Sequence, residues 1–221
     1  MSEPVVLAWS GGKDSCLALD EVRRGGEHEV TALLATIIEG EDRVQMHGVP
    51  RALISRQAEA LGVPLDEVWM PPRPTNEQYE ARLGTALAKY HRRGVRQVAF
   101  GDLFIEEIRA YRETALAKLG MRGLYPLWQR DTGSLARRFV DAGFRAVVVC
   151  VDSRALPRSF AGRVMDREFL TDLPPGVDRS GENGEFHTFV FDGPGFAKPV
   201  DFVRGAVRDD PPFVFCDLLP T

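Results

Sequence analysis

The stretch Ser10-Gly11-Gly12-Lys13-Asp14-Ser15 constrains this chain more than any other. An apolar run, Val5 to Trp9, precedes it, and Cys16-Leu17-Ala18-Leu19 follows in a helical pattern. The order is strand, glycine turn, helix N-terminus. Two adjacent glycines let the backbone take positive φ and approach a ligand with no Cβ in the way. The N–H groups of the turn and of the first helical turn then converge, and the helix dipole favours an anion there. Lys13 adds a point charge. Asp14 beside a phosphate calls for an intervening cation, so a bound Mg²⁺ is expected, with Asp14 as its protein ligand. A Walker A loop needs a glycine five residues before the Gly-Lys pair, and that position is Leu7.

The rest of the chain fits a soluble nucleotide enzyme. At 221 residues it can hold one large domain, or one domain and a smaller companion. The longest apolar run, Ala146 to Val151, is far too short to span a bilayer. Glu3 and Pro4 precede only five apolar residues, which is no secretory signal, so a cytoplasmic protein is expected. A net charge of −4 argues against a large nucleic-acid surface. The pairs Arg23-Arg24, Arg92-Arg93 and Arg137-Arg138 read as solvated helix ends, where cations offset the dipole. Cys16, Cys150 and Cys216 form no C-x-x-C pair, so neither a disulfide framework nor a zinc site is indicated. A helix N-terminus can lower the pKa of Cys16, but a small buried core residue is the favoured reading.

The first half alternates strand and helix in the manner of a parallel sheet. Strands are expected at Val5–Trp9, Val30–Ile38, Leu65–Trp69 and Gln97–Phe100, with helices at Ser15–Arg24, Arg51–Leu61 and Asn76–Arg93. Asn76 with Glu77 and Glu80 suggests an N-cap and an acidic first turn. After Gly101-Asp102 a helix is expected from about Ile105 to Leu119, then an extended Leu124–Trp128. A helix beginning at Asp131-Thr132-Gly133 and a buried strand Ala146–Val151 follow, and Pro157 to Arg179 is less regular. The composition shifts near Trp128–Thr132, which divides the chain into residues 1–128 and 129–221.

Gly181-Glu182-Asn183-Gly184-Glu185-Phe186-His187-Thr188 is the second informative string. Asn-Gly is a strong turn signal and predicts a β-hairpin with Phe186–Phe191 as the returning strand. Two glutamates and a histidine crowd this turn. Their spacing matches no dependable metal set, whereas two carboxylates suit a cationic or ammonia-bearing substrate.

The first string resembles the pyrophosphate (PP) loop, S-G-G-x-D-S, of the ATP pyrophosphatases. With both strings read, the chain resembles the diphthine–ammonia ligase family, a branch of that group. Met46-His47, Arg109 with Glu113, Tyr125-Pro126-Leu127-Trp128 and Asp192-Gly193-Pro194 complete the match in order over nearly the whole chain. The resemblance implies an α/β fold: a doubly wound five-stranded parallel sheet of the adenine nucleotide alpha hydrolase-like (HUP-like) kind, then a smaller C-terminal α+β domain that walls the cleft. Leu124–Trp128 would supply the fifth strand. It implies a reaction of ATP, a carboxylate and ammonia giving an amide, AMP and pyrophosphate, the acceptor being diphthine on elongation factor 2 or a related carboxylate.

The same resemblance distributes roles. Ser10–Ser15 with Gly101 and Asp102 would bind ATP. Lys13, Asp14, Glu182, Glu185 and His187 would serve catalysis. His47, Arg109, Glu113, Trp128, Asn183 and Thr188 would bind substrate. A homodimer, and ammonia either free or delivered by another protein, stay open, because position 2 is serine where an N-terminal glutaminase needs cysteine. Two other functions remain beside this one. A tRNA-modifying PP-loop enzyme would commonly carry cysteine pairs or added RNA-binding domains, which this acidic chain lacks. A non-catalytic ATP-binding sensor would need neither Asp14 nor the C-terminal glutamates.

Overall fold

The structure, a computed structural model, describes residues 2–221. The chain divides into two compact units. The first holds the segments up to Ser10, Asp14–Gln45 and Val63–Trp128; the second holds Gly11–Lys13, Met46–Gly62 and Gln129–Thr221.

The first unit is built on a mostly parallel sheet. Its strands are β1 (Glu3–Ala8), β2 (His28–Ile38), β3 (Arg43–Val44), β4 (Leu65–Met70), β5 (Gln97–Ala99) and β6 (Arg122–Leu124). Five run parallel in the order β4-β2-β1-β5-β6, and the two-residue β3 pairs antiparallel with Ile37 and Ile38 of β2. Val5, Val6, Leu7, Leu33 and Ile37 are fully buried, because helices cover both faces of such a sheet and its strands read as continuous apolar runs. Helices α1 (Lys13–Gly25), α3 (Asn76–Arg92) and α4 (Glu106–Ala117) alternate with these strands, α2 (Arg51–Leu61) lying in the second unit. Strand order reverses between β1 and β5. In open α/β sheets the crevice outside the carboxyl ends at such a reversal is where ligands bind.

Two local details differ from the sequence reading. The cap of α3 is Thr75, not Asn76: its hydroxyl accepts from Gln78 N–H while Gln78 reaches back to the Thr75 N–H, a reciprocal pair that a lone Asn76 cannot form. The last parallel strand is Arg122–Leu124, in register with Gln97–Ala99 of β5, and residues 126–129 turn away with Gln129 at φ +56°.

The second unit carries an antiparallel sheet, β7 (Arg145–Asp152), β8 (Phe186–Asp192), β9 (Phe202–Asp210) and β10 (Phe213–Pro220), in the order β8-β7-β10-β9. Helices α5 (Thr132–Asp141) and α6 (Arg167–Asp172) begin at side-chain caps, Asp131 to Ser134 N–H and Asp166 to Phe169 N–H. Its core is aromatic: Phe169 packs edge-on against both Phe160 and Phe186, and Phe139 stacks on Phe144. Helix α2 ends at Gly62 in the left-handed conformation. Among the described residues no helix is long and apolar enough to cross a membrane.

Candidate active site

The glycine turn lies where its sequence places it, between β1 and α1. Gly11 sits at φ +77°, and a Cβ there would lie 2.5 Å from Ile54 Cδ1 and 2.8 Å from Gln57 Oε1. Only glycine meets both constraints. The Gly11 carbonyl accepts from Val190 N–H at 2.9 Å and from Gln57 Nε2 at 3.0 Å. Gln57 also donates to the Val190 carbonyl at 2.6 Å. Two residues on, Lys13 N–H donates to Thr188 Oγ1 at 3.0 Å. The turn therefore runs along β8, tied to it at Val190 and Thr188. One expectation changes here: not every amide of the first helical turn is left for an anion, because Thr188 takes that of Lys13.

The Lys13 side chain is 3% exposed, with Nζ 5.3 Å from the centre of the Phe186 ring. His187 and His47 face each other with ring centres 4.6 Å apart. Burial, with the Lys13 charge beside it, pushes the His187 imidazole down to about 4, so it is neutral near pH 7. Lys13, His47, His187 and Thr188 are thus brought together.

On the first unit, Ser10 Oγ and Ser15 Oγ lie 3.4 Å apart at the two ends of the turn. Gly101, just after β5, presses on the start of α1: a Cβ there would lie 2.8 Å from the Asp14 carbonyl carbon and oxygen. Gly101 and Asp102 accordingly stand at the strand reversal, as the sequence order requires. Asp102 is paired with Arg112, Oδ2 to Nε at 2.7 Å; burial raises its carboxyl and Arg112 counteracts. Cys16 is buried, and desolvation with the Asp14 charge raises its thiol well above the usual range, which makes it a core residue.

Arg109 and Arg112, one helical turn apart on α4, are treated differently. Arg112 stacks on Phe100 and is neutralised by Asp102. The Arg109 guanidinium lies over Tyr125 at 4.7 Å and Trp128 at 4.6 Å, and among the described residues no carboxylate pairs with it. Glu113 accepts from the Gly123 N–H at 3.5 Å, and burial together with the Glu113 charge raises the Tyr125 phenol.

The second glycine string departs from its predicted shape. Among the described residues no strand runs directly into it; residues 182–185 form a turn feeding β8, whose antiparallel partner is the more distant β7. Glu185 is buried, and its carboxylate accepts from Asp178 N–H, Asn183 N–H and Asn183 Nδ2 at 3.0, 3.0 and 3.1 Å. Asp178 in turn accepts from the backbone of Ser180 and Glu182. The expected carboxylate pair is therefore divided, since Glu185 and Asn183 brace the turn. Sequence reasoning missed Gln57. Its signal was present, a polar residue on the apolar stripe Ile54-Gln57-Ala58-Leu61 of α2 and wholly buried.

Profiles of one family account for most of the chain. The diphthamide synthase N-terminal domain matches residues 3–123, and the C-terminal domain of the same family matches residues 131–209. The chain belongs to the diphthamide synthase family. Among its curated relatives, human diphthine–ammonia ligase is 27% identical over 214 residues, covering 86% of this chain and 79% of the human one. The zebrafish protein of that name is 27% identical over 236 residues, covering 95% and 91%. The fission-yeast one is 27% identical over 211 residues, covering 86% of this chain and 34% of its own. Family membership makes this chain an enzyme of the ligase class.

Proposed function

We propose that this ligase activates a carboxylate with ATP and amidates it with ammonia. The observation that carries the proposal is the turn itself: a glycine loop at a strand reversal, opening a helix, with a buried lysine at its first position. The groups present fit a polyphosphate: two serine hydroxyls, helix-start amides and the Lys13 ammonium. Among the described residues no group of three His, Cys, Asp or Glu side chains is arranged to hold a metal. Asp14 is then the one loop carboxylate that would hold Mg²⁺, an ion usually bound through one or two carboxylates together with substrate phosphates. Bound there, Mg²⁺ would neutralise charge on the departing pyrophosphate.

In the first half-reaction an oxygen of the acceptor carboxylate attacks the α-phosphorus, the bond from the α-phosphorus to the bridging oxygen breaks, and pyrophosphate leaves. Lys13 and the loop hold the β- and γ-phosphates, and positioning supplies much of the acceleration. Arg109, lying over the Tyr125 and Trp128 rings and paired with no carboxylate among the described residues, suits the acceptor carboxylate. Trp128 and Glu113 keep that arginine's surroundings in place. In the second half-reaction ammonia attacks the acyl carbon of the adenylate, AMP leaves and the amine gives up a proton.

His187, neutral near pH 7, offers the ammonia a lone pair rather than a charge, with His47 beside it. Glu182 supplies carboxylate charge, while Glu185 and Asn183 act through the shape of the turn. The acceptor is diphthine, as the names of the relatives say of theirs, carried on elongation factor 2 or a related protein. Incubation with ATP, Mg²⁺, ammonium and diphthine-bearing elongation factor 2, followed by anion-exchange chromatography, tests the reading. AMP and pyrophosphate in step with amide are expected; ADP and phosphate as main products would refute it.

A further inference from the structure

Helix α2 carries one side chain whose position has no explanation in packing alone. Gln57 is fully buried on an apolar helix face, where an unpartnered amide would cost more than any aliphatic residue of its size. Both hydrogens of its Nε2 are spent on backbone carbonyls from two distant segments, Gly11 of the glycine turn and Val190 of β8. The Val190 N–H returns to the same Gly11 carbonyl.

We propose that Gln57 is a positioning residue of the phosphate loop, acting on bound nucleotide through the Gly11–Gly12 peptide. The inference rests on the reading of Ser10–Ser15 as the phosphate site. A peptide unit is planar, and in its trans form the C=O and the following N–H point in opposite directions. Cis bonds among the described residues are confined to Pro211-Pro212. Two donors holding the Gly11 carbonyl toward α2 and β8 therefore turn the Gly12 N–H the opposite way. One bond would leave the plane free to rock about the Cα atoms of two glycines, which resist rotation least. Two bonds from different directions fix it. Lys13, whose N–H is held by Thr188, is the next fixed point. The orientation of the Gly11–Gly12 peptide is thus set before a phosphate arrives, and the ordering cost on binding falls.

The test uses two substitutions in the full chain, each compared with the unaltered protein in the same buffers. Gln57→Met keeps the length and removes both donors. Gln57→Glu loses both donors when ionised and regains one O–H donor when protonated. ATP affinity with Mg²⁺ is measured by calorimetry from pH 8 to pH 5.5, together with the urea midpoint. At pH 8 both variants are expected to bind ATP at least 10-fold more weakly while still unfolding cooperatively. Lowering the pH should restore affinity to Gln57→Glu and not to Gln57→Met. A role confined to stability would shift the urea midpoint and leave ATP affinity unchanged, which overturns the proposal, as does a Gln57→Glu variant whose affinity relative to the unaltered protein is flat with pH. If Gln57→Met does not fold, the pH series on Gln57→Glu decides. Absence of ATP binding in the unaltered protein marks the failure of the phosphate-site reading instead.

Discussion

Gly11 at φ +77° and Gly181 at φ +67° open two turns of similar composition, each glycine-rich and each carrying acidic residues. In the first, the Gly11 carbonyl is held by α2 and β8, and the Lys13 N–H by Thr188. In the second, the carboxylates of Asp178 and Glu185 take up the amides of Ser180, Glu182, Asn183 and Asp178 itself. The first turn is braced by segments distant in sequence. The second satisfies its donors internally and presents a finished shape. A glycine-rich string with charged residues is therefore a binding loop only when its backbone donors are not already claimed by its own carboxylates.

Four substitutions sharpen or break that contrast. The largest effect is expected for Gly11→Val. Its Cβ would collide with Ile54 and Gln57 in a backbone conformation that β-branched residues avoid, so ATP affinity should fall at least 100-fold by calorimetry. Retained affinity in a folded variant would mean that the turn is not the phosphate site.

Next is the pH response of the histidine beside Lys13. The imidazole falls from an ordinary 6.5 to about 4 on folding, so the unfolded chain binds the extra proton between those values. This stability is complete above pH 6.5 and is lost as pH falls toward 4, by at most ~3 kcal/mol. His187→Asn should flatten that part of the curve of urea midpoint against pH; an unchanged slope would show that another group titrates.

Glu185→Gln should act on the second turn as a structural change. An amide presents hydrogens to donors that a carboxylate accepted, at a cost of about 1–3 kcal/mol in urea denaturation. Amide formation should track the folded fraction. A fully folded variant that binds ATP yet fails only in the ammonia step would return Glu185 to direct chemistry. The smallest effect is expected for Thr188→Val, which leaves the Lys13 N–H without its acceptor. About 1 kcal/mol of stability and a few-fold in ATP affinity should be lost, and Thr188→Ser should recover both.

Legibility followed burial. Val5–Leu7 and Leu33–Ile37 were readable because a parallel sheet buried on both faces writes itself as uninterrupted apolar runs. Strands β9 and β10 were not anticipated: Phe202–Asp210 mixes Val203 and Val207 with four charged residues, the pattern of a half-exposed edge strand that sequence shares with loops. The glycine turn between β1 and α1 was legible from its order of apolar run, paired glycines and helical pattern. The self-bracing of Glu185 was not, because the donor it accepts from Asp178 lies seven residues upstream in an irregular segment. Gln57 was hidden for a related reason, since its partners lie 46 and 133 residues away.

The chain passes between its two compact units after Ser10, Lys13, Gln45, Gly62 and Trp128. Expression of either half alone is therefore not a route to either unit. A fragment ending at Trp128 would keep every strand of the parallel sheet, yet it would leave Gln57 and the Gly11 carbonyl without Val190, and Lys13 without Thr188. A graft of residues 129–221 from a relative would have to bring a matching helix α2 with it. Shuffling of acceptor specificity within this family is thus expected to proceed by substitutions inside an intact chain rather than by exchange of C-terminal halves.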